Sequence, residues 1–108
     1  MNTSIRGQLN SIINRAHMWI VNSSSIRRAT QYKHVIRSMI FTYMNDWDRR
    51  YEWSIECYDM TPIKSVPRQN VRVAIRYMDE DRTEKILYRH MYPVYFTGAW
   101  FDNGRVGV

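Results

Sequence analysis

Residues 71–78 read Val-Arg-Val-Ala-Ile-Arg-Tyr-Met, and that alternation constrains the chain more than any other feature. Val71, Val73, Ile75 and Tyr77 fall on one side, and Arg72 and Arg76 on the other. A period of two is the signature of a strand with one face buried. Asp79-Glu80-Asp81-Arg82-Thr83 then forms a charged turn, and Glu84 to Met91 reads as the returning strand. The pair is an antiparallel hairpin with a loop of about five residues. Upstream, Tyr51, Trp53, Ile55 and Cys57 alternate with Glu52, Ser54 and Glu56, which predicts another strand over 51–58. Pro62 and Pro67 make 59–70 a loop, because proline lacks an amide donor. A short extended piece, 94–101, follows Pro93 and supplies an optional fourth strand.

A sheet with one apolar face needs a cover. Ile5, Leu9, Ile12, Ile13 and Ala16 recur at spacings of three and four, which predicts a helix from Ser4, with Ser4 as its cap. Gln8, Ser11 and Arg15 would face water. His17 to Val21 reads either as the last helical turn or as a short strand. Asn22-Ser23-Ser24-Ser25 is a break, and Ser24 or Ser25 suits the next N-cap. A second, longer helix over 26–50 carries Ala29, Tyr32, Ile36, Met39, Ile40, Tyr43 and Trp47 on one stripe. The expected fold is α+β: two N-terminal helices packed on a small antiparallel sheet of three to four strands. The stripe would meet Val71, Val73, Ile75 and Tyr77. At 108 residues, 1–108 is one domain. No apolar run approaches the roughly 20 residues that span a bilayer, so no membrane partner is expected. The first residues lack a signal-peptide pattern.

The net charge is +6, from 16 Lys plus Arg against 10 Asp plus Glu. Only Lys33, Lys64 and Lys85 are lysine, so the surplus is mainly Arg, which suits bidentate contacts and stacking. Two clusters stand out. Arg27, Arg28, Lys33, His34 and Arg37 crowd the first half of the second helix, where cations oppose the macrodipole. That cluster is either a solvated helix face or a surface for a partner. Arg72, Arg76 and Arg89, with Tyr92, Tyr95 and Trp100 near by, form either the wet side of the sheet or a basic aromatic face for single strands. Catalytic signals are absent. Cys57 is alone, and His17, His34 and His90 lack zinc spacing. Asp79, Glu80 and Asp81 lack the spacing of a calcium loop, and no glycine-rich phosphate cradle occurs. No cofactor, metal site or enzyme activity is expected.

Asp46-Trp47 closes the second helix, and a gap of 20-odd residues precedes strand 71–78. The charged turn, strand 85–91, Tyr92-Pro93-Val94, Gly98 and Phe101-Asp102 follow. Over residues 17–104 or so, this order resembles the tail tube and tube-initiating baseplate proteins of contractile-tail phages. The basic charge departs from that family, whose tube lumen tends to be acidic, and its first hairpin has no counterpart in residues 1–16. The resemblance implies a non-enzymatic structural protein of a tail or baseplate-like assembly. Its partners would be other protein subunits in a homo- or hetero-oligomer, and its place the virion or host cytoplasm. The alternative from the charge is a small nucleic-acid-binding or host-takeover protein that uses the Arg-rich helix face.

Overall fold

Ser4 starts the first helix as its sequence suggests: its Oγ accepts a hydrogen bond from the Gly7 amide at 3.0 Å. The computed structural model describes residues 4–23, 28–60 and 70–92. Helix α1 spans Ile5–Val21, so the ambiguous His17 to Val21 segment is its last turn, closed at Asn22. Leu9, Ile12, Ile13, Ala16, Ile20 and Val21 are its buried side.

Helix α2 spans Ala29–Tyr43. The cap differs from expectation. Ser24 and Ser25 lie outside the described residues, and the N-cap position is Arg28, whose side chain makes no capping bond. The carboxylate of Asp59 takes that role, accepting from the Ala29 amide at 2.9 Å. Asp59 comes from the end of strand β1, Trp53–Met60, so a tertiary contact satisfies an orphan amide that local sequence leaves open.

The unbroken helix over 26–50 needs a second correction. The chain leaves helical geometry at Met44 (φ −130°, ψ 41°) and resumes as α3, Asn45–Arg50. Asp46 and Asp48 in its first turn and Arg49 and Arg50 in its last suit the helix dipole. The break changes which side chains face inward. Tyr43, placed on the stripe by spacing, is 55% exposed, and Met44 is buried instead. Trp47 still reaches the core, its ring 5.9 Å from that of Trp53 and 6.4 Å from that of Tyr51. Asp48 holds the Trp53 indole N–H at 2.7 Å.

Strands β1, β2 (Asn70–Met78) and β3 (Glu84–Met91) form an antiparallel meander with β2 central. The piece at 94–101 lies outside the described residues. Trp53 pairs with Tyr77, Ile55 with Ile75 and Cys57 with Val73, while Ile75 pairs with Leu87 and Val71 with Met91. Period two therefore places these side chains on one face. Ala29, Tyr32, Ile36 and Ile40 of α2 join them in one core, with α1 packed beside α2. This is the expected α+β layout. Each fully buried Ile or Leu contributes about 1.5–3 kcal/mol by leaving water. The other face carries Arg72, Ala74, Arg76 and Met78 from β2, flanked by Ser54, Glu56 and Tyr58 of β1 and by Ile86, Tyr88 and His90 of β3.

The cap contact gives the first prediction. Asp59→Ala should lower unfolding free energy by about 1 kcal/mol, the usual loss on removing an N-cap acceptor. Urea unfolding followed by far-UV circular dichroism measures this. An unchanged midpoint would show that the Ala29 amide finds an equal partner elsewhere.

Candidate functional site

The three sheet arginines have three different surroundings. Arg89 pairs with Val73, so it lies on the helix side, not beside Arg72 and Arg76 as the grouping by sequence had it. Its Nη1 donates to Asn10 Oδ1 at 2.9 Å and its Nη2 to Asn14 Oδ1 at 2.7 Å, both on α1. The signal was present in the turn. A five-residue connection that pairs Met78 with Glu84 puts Arg89 opposite Val73 by parity. Arg76 does face the open side, where its Nη1 sits 3.7 Å from Glu84 Oε1. Of the three, only Arg72 is exposed and without an ion pair among the described residues.

Aromatic rings surround Arg72. Tyr58 pairs with it across β1, and His90 across β3. Tyr88 is 61% exposed and Tyr58 51%. The His90 ring stacks on Tyr92 at 4.6 Å, and its Nε2 is 2.9 Å from Oδ1 of the buried Asn70. Arg72, Tyr88, Arg89 and His90 line a shallow cleft of about 390 Å³. Tyr95 and Trp100, grouped with this face by sequence, lie outside the described residues.

A second surface is the outward side of α2. Arg27 lies outside the described residues. Arg28 and Arg37 are exposed and carry no ion pair among the described residues. Lys33 is half-buried, with Nζ 4.0 Å from Glu56 Oε1. Thr30, Lys33, His34, Arg37, Ser38 and Phe41 line a groove of about 520 Å³ along the helix. Phe41 is 58% exposed. It follows Ile40 by one residue, so it points about 100° off the buried stripe. Sequence spacing had the means to find it. Met18 and Trp19 of α1 are likewise exposed, and Arg15 places its guanidinium over the Tyr43 ring, 4.8 Å from the centroid.

The turn end of the sheet mixes both signs, with Arg49, Arg50 and Arg82 exposed beside its carboxylates. Asp46, Glu52 and Glu80 lie at the turn end of the sheet, near the Trp53–Tyr77 pair, and carry no ion pair among the described residues. Arg28 and Arg72 lie toward the opposite end, near the Asp59–Val71 pair. At the turn itself, Lys85 Nζ is 2.6 Å from Asp79 Oδ2 and 3.3 Å from Asp81 Oδ2. Asp81 also accepts from the Thr83 amide at 3.0 Å, and Arg82 supplies a positive φ of 66°. Asp79 and Asp81 of the acid triplet therefore tie the turn together. Among the described residues, no group of three or more His, Cys, Asp or Glu is placed to hold a metal ion.

The remaining titratable groups are structural. Burial, and then the nearby Arg89 charge, hold His17 below the ordinary histidine range, and its Nδ1 is 2.8 Å from the buried Tyr32 Oη. Burial pushes the Cys57 thiol up to about 12. A nucleophile needs thiolate, so this cysteine is inert at neutral pH. No protein-family model, no curated protein and no solved structure matches the chain.

Two predictions follow from these groups. The Lys85 hydrogen bond lowers Asp79, and the Thr83 bonds followed by Lys85 lower Asp81. Their stabilisation is present above the unfolded carboxylate value, about 3.9, and is lost as pH falls through the folded values. Lys85 is raised by Asp79 and Asp81, so its share is full below its unfolded value and lost as pH rises through the folded one. The melting-temperature gap between wild type and Lys85→Met should thus be constant from mildly acidic to mildly alkaline pH and close toward both extremes. A pH-independent gap would mean that the contact is packing alone. Separately, a thiol-reactive dye at neutral pH should label the half-buried Cys57 more slowly than in denaturant, and equal rates would contradict its shielding.

Proposed function

We propose that this chain is a non-enzymatic interaction protein that assembles with protein subunits through the outward face of α2. One observation carries the reading: Phe41 is left exposed in a groove whose other walls include Arg37, His34 and Lys33. Aromatic and Arg side chains are the types that dominate interface energetics. The groove also has no cluster of carboxylates or nucleophiles that would perform chemistry. The Arg-rich helix face, read from sequence as a nucleic-acid candidate, suits a protein surface better, because its groove offers the single apolar ring of Phe41 and no row of rings to stack successive bases.

The subunit proposed is a second copy. Its turn end presents the carboxylates Asp46, Glu52 and Glu80 among Arg49, Arg50 and Arg82, and these carboxylates can pair with Arg28 and Arg37 of the α2 face. A contact between two different surfaces of one chain is heterologous, and repetition gives a ring or a filament. A tail or baseplate setting rests on the sequence resemblance alone. No described helix is long and apolar enough to cross a membrane.

Light scattering after size exclusion, without nucleic acid, tests this. The chain should associate at micromolar concentrations and low salt, and dissociate as salt screens the contact. Phe41→Glu and Arg37→Glu should each weaken association at least tenfold, about 1.4 kcal/mol or more. A monomer at every concentration and salt would sink the proposal. So would an oligomer indifferent to both substitutions.

A further inference from the structure

The open face of the sheet is a second surface, independent of α2. We infer that it binds single-stranded nucleic acid, with bases stacked on Tyr58, Tyr88 and His90 and a phosphate on Arg72.

The placement comes from the register. Tyr58, Arg72 and His90 form one row across all three strands. Neighbouring strands are about 4.8 Å apart, so Arg72 lies between two ring-bearing residues, one strand spacing from each. Tyr88 lies one row further along β3, opposite Ala74. The small Ala74 side chain leaves its ring uncrowded from β2. His90 is braced by Tyr92 behind it and by Asn70, which fixes the ring plane before any ligand arrives. Rings held in place lose little entropy on binding.

The charges on this face select an anion at that row. The face carries Glu56 and Glu84, with Glu52 at its turn end, as well as Arg72 and Arg76. Glu56 is answered by Lys33 at 4.0 Å, and Glu84 by Arg76 at 3.7 Å. Subtracting these pairs leaves Arg72 as the cation of this face with no ion pair among the described residues, and it is the one in the row of rings. A protein partner would need a carboxylate at one point and flat apolar groups on both sides. A single strand supplies both as its ordinary repeat, since every nucleotide has a π-face and a phosphate. A duplex hides its bases in the stack, so this face discriminates against it.

Fluorescence anisotropy of the full chain with labelled oligothymidine, oligouridine and a matched duplex is the test. Both single strands should bind in a salt-dependent manner, and the duplex more weakly. Tyr88→Ala and Tyr58→Ala should each weaken single-strand binding about tenfold, the size expected of one stacked base. Arg72→Gln should weaken it and reduce the slope of log affinity against log salt by about one, the signature of one lost phosphate contact. Arg76→Gln should do less, and Arg37→Glu should leave the stacking losses intact. All five positions are exposed, and unchanged circular dichroism and melting temperature confirm that each variant folds. Absence of binding at low salt would overturn the inference. So would equal affinity for duplex and single strand, or insensitivity to Tyr88→Ala and Arg72→Gln. If Tyr58→Ala and Tyr88→Ala change the oligomeric state instead, the face is a protein contact and the inference fails.

Discussion

The structure depends on covering one side of a three-stranded sheet. Such a meander is at the lower limit of independent stability unless its apolar face leaves water. Ala29, Tyr32, Ile36 and Ile40 of α2 provide that cover over Val71, Val73 and Ile75. Everything else adjusts to it. α1 packs beside α2 through Leu9, Ile13, Ala16 and Ile20, and the break at Met44 turns Trp47 inward to close the turn end of the core. Because the described elements cover only one side, they leave the opposite side of the sheet open. The covering requirement thus produces the surface that carries Arg72 and its rings.

The elements were largely legible because each depends on local period. Val71, Val73, Ile75 and Tyr77 alternate without exception, and all four are buried. The α1 stripe was equally clear. What failed was anything decided at a distance. No spacing within residues 26–50 announces that Met44 leaves helical geometry, since the pattern from Tyr32 to Trp47 runs on at three and four. Tyr43 was placed inward for that reason, although an amphipathic ring has a stable place outside when Arg15 covers it. The Asp59 cap could not be read either, because its acceptor comes from a strand 30 residues away.

The candidate surfaces were legible in composition but not in assignment. Grouping Arg72, Arg76 and Arg89 by type put three residues on one face. The fold gives them an exposed position, an ion pair and an internal network. One member of the cluster on α2 behaves similarly: Lys33 leans toward Glu56, while Arg28 and Arg37 stay open. A net charge of +6 says how much cation a chain has. The pairings inside the fold decide how much of it a ligand meets, and here that amount is smaller and more local than the total suggests.

Arg89 has one further consequence. Asn10 and Asn14 are four residues apart on α1, one helical turn, and the two ends of a single planar guanidinium hold both. A helix packed only by aliphatic side chains can slide by a turn and still bury most of its area. This one cannot, because a slide of about 5.4 Å would strip at least one nitrogen of its acceptor. The fork works as a ruler: it sets the axial position of α1 against β3, and it does so where the apolar core alone would tolerate more than one setting.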